Sequence, residues 1–201
     1  MKLYFVPKTR ATRPRWLLEE LGVPYELVRL DPRKGETRTP EQLKISPLGH
    51  VPALVDGDLK MIESAAICLY LADKFPEKHL APPPQSPDRA AYYQWIVFAM
   101  VTLEPPLSAI AHYNRATPEG QRDAALVAKH AKDFEQVAKP LEDYLRGREF
   151  VAGQSFTAAD VVVGSVAAWA GALHLLDSFP TLKEYGHRMA DRPAAKRSRD
   201  E

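Results

Sequence analysis

Three short stretches hold residue types that could bind and activate a small ligand. The first, YFVPKTRATRPRWLLEELG, runs from Tyr4 to Gly22. It reads as a strand, a polar turn bearing Thr9, Arg10 and Thr12, and then a helix. A turn leading into a helix N-terminus gathers unpaired amides and hydroxyls where negative charge is favoured. The same threonines could equally do no more than cap the helix. The second stretch is Gly49-His50-Val51-Pro52-Ala53. A proline at the head of a strand belongs to an edge or a turn. If the Val51-Pro52 bond is cis, the Val51 N–H and C=O turn outward and can pair with a peptide-like ligand as an added strand would; an ordinary turn proline is the alternative. The third is Ile62-Glu63-Ser64-Ala65-Ala66-Ile67, where Glu63-Ser64 stands at a helix start. The Ser64 N–H and hydroxyl could hold a carboxylate there, or simply form an N-cap.

The elements that must position these residues follow from the apolar pattern. Lys2–Val6 and Tyr25–Leu30 are rich in strand formers. Trp16, Leu17, Leu18 and Leu21 share one helical stripe that Gly22 stops. A weak helix falls near 40–45. Ala53–Val55 and Leu59–Ile62 flank Asp56-Gly57, a dipeptide of tight hairpins, and Ser64–Phe75 reads as a helix. The order βαβ, helix, ββ, helix predicts a mixed sheet with helices packed on it.

Pro82, Pro83, Pro84 and Pro87 then mark a semi-rigid linker over 80–87, dividing a domain over 1–79 from one over 88–201. Beyond it the pattern is helical. Residues 88–104 place Tyr92, Trp95, Phe98 and Ala99 at helical spacing, and Pro105-Pro106 are expected to kink or end that helix. A further helix is expected with Thr117 as its cap and Pro118 first, its stripe running from Val127 through Phe134 and Leu141 to Leu145, with a bend at Pro140. Thr157-Ala-Ala-Asp160 has the form of a capping box. The segment behind it, VVVGSVAAWAGAL, is apolar nearly all round, as a buried central helix is.

Composition excludes several functions. The 201 residues carry 27 basic and 26 acidic side chains and a formal charge of +1, without the cationic excess of a dedicated nucleic-acid binder. One cysteine closes no internal disulfide and supplies no thiolate cluster, and the six histidines show no ligand spacing, so no metal is expected. Cys68, among Ile67, Leu69 and Leu71, reads as a small core residue. No run approaches 18 apolar residues and the start is too short for a signal peptide, so a cytoplasmic protein without membrane spans is expected. The basic stretch Arg192, Lys196, Arg197 and Arg199 reads as a solvated tail diluted by Asp200 and Glu201.

Taken together, RPRWLLEELGVPYELV, SPLGHVPALVDGD, ESAAICLYLADKFPE and GQSFTAAD resemble the cytosolic glutathione transferase superfamily, of the bacterial beta-, theta- and nu-like kind. The resemblance covers essentially the whole chain. It implies a thioredoxin-like α/β N-terminal domain with a cis-proline, an all-α C-terminal helical domain, a homodimer, and glutathione as co-substrate. By the same resemblance, Val51, shaped by Pro52, pairs its backbone with the cysteinyl part. Glu63 and Ser64 hold the γ-glutamyl end, His50 and Lys34 contact the glycyl end, and Tyr113 lines the wall that receives a small hydrophobic electrophile.

The residue that activates the thiol departs from the family's usual choices. Arg10 stands where the beta-like pattern has cysteine, Thr9 where serine-using classes have serine, and Tyr4 near the position of the tyrosine-using classes. Thr9 is the expected activator, with Arg10 as electrostatic help and Tyr4 as the alternative. The demand is small. A thiol of pKa about 8.5 is only about 3% ionised at pH 7. Lowering that value by roughly two units takes about 2.7 kcal/mol, within reach of a hydroxyl and a nearby cation. The resemblance thus implies conjugation of electrophiles, a detoxifying reaction. A glutathione-dependent disulfide reductase or peroxidase, and a non-catalytic binding module, are the alternatives.

Overall fold

The computed structural model describes residues 1–199; Asp200 and Glu201 lie outside the described residues. The chain forms two compact units, Met1–Ala81 joined by the residues from Asp191 on, and Pro82–Ala190.

The first unit is built on four strands, β1 (Lys2–Phe5), β2 (Glu26–Arg29), β3 (Ala53–Asp56) and β4 (Leu59–Ile62), in the order β2-β1-β3-β4. β1 runs parallel to β2 and antiparallel to β3, which is antiparallel to β4. The parallel pair needs a crossover, which α1 (Thr12–Leu21) supplies, closed by Gly22 in the left-handed region at φ 63°. Gly57, at φ 61°, turns the β3–β4 hairpin. Alternation along β1 buries Leu3 and Phe5 and leaves Tyr4 on the other face. Leu17, Leu18 and Leu21 of α1 and Ile67, Cys68 and Leu71 of α3 (Ser64–Lys74) are buried. A short α2 (Pro40–Leu43), capped by Thr39, completes the thioredoxin-like layout.

One element of this unit departs from the sequence-based division at 88. α9 (Pro193–Arg197) packs on α1, so the stretch read as a solvated tail is part of the α/β unit. The reason is electrostatic: Arg192 and Arg197 form ion pairs with Glu20 and Glu19.

The second unit is all helical: α4 (Asp88–Phe98), α5 (Glu104–Ala116), α6 (Ala124–Leu145), α7 (Ala158–Ala172) and α8 (Pro180–Ala190). α7 is its buried centre, with Val161, Val162, Val163 and Val166 fully inaccessible. Its capping box is present, and Asp160 Oδ1 additionally accepts the Val151 N–H at 2.9 Å and the Tyr185 hydroxyl at 2.9 Å. Glu142 of α6 is buried and accepts the Thr181 and Leu182 N–H groups at 3.2 and 2.7 Å, satisfying the first turn of α8.

Two helix boundaries differ from expectation. Pro105-Pro106 do not end the first helix. A π-helical turn over Ala99–Leu103 joins α4 to α5, and the prolines fall in the first turn of α5, where a missing N–H costs little. Thr117 and Pro118 do not start the next helix either. The Thr117 N–H closes α5 on the Tyr113 carbonyl, a 3₁₀ turn follows, and Asp123 caps α6 by accepting the Ala125 N–H. The resulting Asp88–Ala116 rod contains an 18-residue window of mean hydropathy 1.3, long and apolar enough to cross a membrane. Tyr92, Trp95, Ile96, Leu103, Leu107 and Ile110 along it are core residues of the helical unit.

Candidate functional site

The sheet register gathers the three stretches. The C-terminal end of β1 pairs with the start of β3, and the start of β3 pairs with the end of β4. The β1–α1 turn, the residues before Ala53 and the Glu63-Ser64 step therefore all emerge at one end of the sheet, within the α/β unit.

In the first stretch, Lys8 adopts φ 59°, a left-handed conformation rare outside glycine. The Thr9 hydroxyl folds over it, donating to the Val6 carbonyl at 2.7 Å and accepting the Ala11 N–H at 3.2 Å. Ala11 is the N-cap of α1 and gives it no side-chain cap. The Thr12 hydroxyl donates to the Thr9 carbonyl at 3.0 Å. Both threonines thus brace the turn, while the Thr9 N–H has no partner among the described residues. Arg10, half-buried, follows in the same turn. Tyr4 is half-buried and its hydroxyl bonds to no described residue.

In the second stretch, the Val51-Pro52 peptide is cis. Ser46, buried, accepts the His50 N–H at 3.1 Å and donates to the His50 carbonyl at 2.8 Å, locking the loop that precedes it. The Val51 N–H and C=O make no hydrogen bond to a described residue, as an added strand requires. Gly49 sits at φ 64°, and a Cβ there would lie 2.9 Å from both Arg38 Cγ and the Thr37 carbonyl, so only glycine admits this crossing of loops. Arg38 is the cation that lies against this loop; no contact ties Lys34 to it among the described residues. Arg38 was not singled out in the sequence, because its 3₁₀ turn, Glu36–Arg38, carries no periodic pattern.

In the third stretch, Glu63 adopts φ 69°, ψ 111° at the N-cap of α3 and makes no capping bond. Strain of this kind in a non-glycine residue persists only where the surroundings enforce it, and it clusters at functional sites. Ser64 is buried, and its Oγ accepts from Arg13 Nη1 at 3.3 Å. Arg13 is itself buried and was also missed; it lies one helical turn beyond the Thr9 turn and joins the first stretch to the third. Burial pushes the Cys68 thiol up to about 12, against the pull of the Arg13 charge, so this thiol stays protonated at neutral pH.

Tyr113 lies in the helical unit. Its phenol oxygen accepts the Asp123 N–H at 2.6 Å, which ties the α5–α6 connection. No group of three or more potential metal ligands occurs among the described residues.

Both halves of the chain are similar to known proteins. Residues 1–73 match the glutathione S-transferase N-terminal domain and residues 92–193 the C-terminal domain. The chain is 30% identical over 200 residues to the disulfide-bond oxidoreductase YfcG of Escherichia coli, covering 96% of this chain and 91% of that one. It is 32% identical to glutathione S-transferase 3 of Zea mays, over 80% of this chain and 73% of that protein. Among solved structures it resembles a glutathione S-transferase-I bound to lactoylglutathione, at 30% identity, TM-score 0.85, and 98% and 97% coverage. It also resembles a Burkholderia graminis glutathione transferase with two glutathione molecules bound per subunit, at 26% identity, TM-score 0.87, and 99% and 87% coverage. With both domains matched and a 30%-identical relative running nearly its full length, the chain belongs to the cytosolic glutathione S-transferase superfamily.

Proposed function

We propose that the protein is a glutathione transferase that ionises the glutathione thiol beside Thr9 and delivers it to small hydrophobic electrophiles. The observation that carries this reading is the unpartnered Val51 backbone at the sheet end that also bears Thr9 and Ser64. Val51 would pair with the cysteinyl segment, Ser64 and Glu63 would take the γ-glutamyl end, and Arg38, which lies against Gly49, would take the glycyl carboxylate with His50, in place of Lys34. The Thr9 hydroxyl would turn from the Val6 carbonyl toward sulfur, joined by its own N–H, while Arg10 adds positive potential. Each such contact favours the thiolate over the thiol. The thiolate then displaces a leaving group from, or adds to, the electrophile, and no general base in the chain is needed.

A second reading is glutathione-dependent disulfide reduction, supported by the likeness to YfcG. Cys68 is fully buried and its thiol is held protonated, so both electrons would come from two glutathione molecules. One thiolate attacks the substrate disulfide, forming a mixed disulfide and releasing one thiol; the second attacks the glutathione sulfur of that mixed disulfide, releasing the other thiol and leaving oxidised glutathione.

Assays with an aryl halide and with a small glutathione mixed disulfide distinguish the readings. Under the main reading, Thr9→Val lowers kcat for conjugation by about 10²-fold, the usual worth of one preorganised donor, whereas Tyr4→Phe leaves it within about twofold. The reverse pattern would move the activating role to Tyr4, and turnover of the disulfide alone would favour the second reading. No turnover and no binding of glutathione would leave a binding module.

We also infer a homodimer in the cytoplasm, from the family reading. Tyr93, Val97 and Val101 lie along one line of the rod and are 46, 55 and 66% exposed, apolar surface of a kind that subunit contacts cover. Sedimentation at micromolar concentration should give a dimer, and a monomer would overturn that inference.

A further inference from the structure

Among features the proposed reaction leaves unused, the contact between the 191–199 segment and α1 is the most fully built. α1 ends in Glu19 and Glu20 with no basic residue in its last turn. Two carboxylates at a helix C-terminus oppose the helix dipole, so this end of α1 is electrostatically mismatched by itself. The segment from Asp191 supplies the missing cations. Arg192 forks onto Glu20, Nε to Oε1 at 2.7 Å and Nη2 to Oε2 at 2.9 Å, and the Trp16 indole donates to the same carboxylate at 2.9 Å. Arg197 Nε donates to Glu19 Oε2 at 2.8 Å, and the Tyr25 hydroxyl donates to Glu19 Oε1 at 2.7 Å.

These pairs differ from ordinary surface bridges. Glu20 is 12% and Glu19 21% exposed, and a bidentate arginine fork fixes direction as well as distance. Burial by itself would push the Glu19 carboxyl up, but the hydrogen bonds from Arg197 and Tyr25 hold it below its ordinary value. Burial, then the Glu19 carboxylate, push the Tyr25 phenol up to about 12, so it remains a donor. Beneath the pairs, Ala194, Ala195 and Ser198 are buried. These small side chains let the short helix approach α1 closely, and the Ser198 hydroxyl is returned to the Ala195 carbonyl at 2.7 Å.

We propose that Arg192 and Arg197 are positioning residues for the thiol site: they clamp the far end of α1 and so fix the Thr9–Arg13 turn at its near end. The effect on glutathione rests on the reading given above; the effect on α1 does not. α1 is a rod of ten residues, about 15 Å long. Pivoting such a rod by roughly 5° displaces its free end by about 1 Å, a misplacement that can cost up to about 10²-fold in an active site. The Arg13–Ser64 bond restrains the same end, so releasing the clamp should have a smaller effect.

The test uses the full chain with Arg192→Ala, Arg192→Lys and Glu20→Gln. Amide exchange is followed across 12–21, with Ala158–Ala172 as the control. Reduced glutathione is titrated, and the ultraviolet absorbance of its bound thiolate is followed against pH. Arg192→Ala should raise exchange across 12–21 about tenfold, leave the control helix unchanged, weaken glutathione binding about five- to tenfold and move the bound thiol's midpoint up toward that of free glutathione. Arg192→Lys, which keeps the charge but not the fork, should recover part of each loss. Unchanged exchange across 12–21 overturns the clamp. So does faster exchange with unchanged binding and midpoint, because α1 would then be held without being positioned. Should Arg192→Ala not fold, Glu20→Gln, which keeps the side-chain shape, decides by the same readings. A wild-type protein that binds no glutathione overturns the functional reading instead, and exchange alone then decides the clamp.

Discussion

Asp160→Ala should destabilise the protein by about 4 kcal/mol, the usual cost of breaking a buried hydrogen-bonded charge network, and lower the thermal midpoint by roughly 10 °C. Both carboxylate oxygens are used. Oδ2 accepts the Thr157 N–H at 2.9 Å and the Thr157 hydroxyl at 3.2 Å, and Oδ1 accepts the Val151 N–H and the Tyr185 hydroxyl. Burial holds this carboxyl above its ordinary value, against the opposing pull of the four donors. Removing it strands two backbone donors, the Thr157 hydroxyl and a phenol in a site closed to water, each costing about 1–3 kcal/mol. The conservative Asp160→Asn should lose nearly as much, because on either side its NH₂ would face a backbone N–H, which can only donate. Tyr185→Phe removes one donor without stranding another and should cost about 1 kcal/mol. Calorimetry or chemical denaturation of the three variants checks the order, and a near-neutral Asp160→Asn would contradict the all-acceptor role.

The capping box behind that prediction was legible in the sequence because it is local: Thr157 and Asp160 are three residues apart and precede an unbroken apolar run. The same holds for Gly22 at the end of α1 and for the β3–β4 hairpin. The two misplaced helix boundaries arise where local signals conflict with packing. Pro105-Pro106 ordinarily stop a helix, but the wider π turn over Ala99–Leu103 lets the chain begin a new first turn beneath them. Thr117-Pro118 has the form of a helix start, yet Arg122 donates to the Thr117 and Asn114 carbonyls at 3.1 and 2.8 Å and holds that stretch as the end of α5.

The site divides along the same line. Thr9, Val51, Glu63 and Ser64 could be singled out because each sits at a junction between elements, where turn chemistry is written in adjacent residues. Arg13 could not. It follows Arg10 and precedes Arg15 in a stretch that reads as a charged, solvated helix face, and its burial depends on Ser64, 51 residues away. Arg192 and Arg197 were equally hidden, since their partners Glu20 and Glu19 lie 172 and 178 residues back in the chain. Long-range pairing of charge leaves no periodicity to read.

Arg13 also sets the direction of the hydrogen bond on which glutathione affinity should turn. Ser64 Oγ accepts from Arg13 and donates to no described residue, so its proton is free to be offered to a carboxylate. Its buried setting and the adjacent guanidinium both strengthen a bond to an anion. Ser64→Ala should therefore weaken glutathione binding about 10- to 100-fold, the worth of a hydrogen bond to a charged group at about 1.5–3 kcal/mol. Thr9→Val should instead leave affinity nearly unchanged and lower kcat. Arg13→Met should also weaken binding, since it removes both the cation and the bond that orients the Ser64 hydroxyl. The two changes should be strongly non-additive, with a coupling of about 1–2 kcal/mol in a double-mutant cycle. Titration with glutathione whose γ-glutamyl carboxylate is amidated identifies the end of the ligand concerned: wild type should bind this analogue weakly, and Ser64→Ala should cost it little more. If Ser64→Ala weakens binding of the amide as much as of glutathione itself, then Ser64 supports the loop and does not grip the carboxylate.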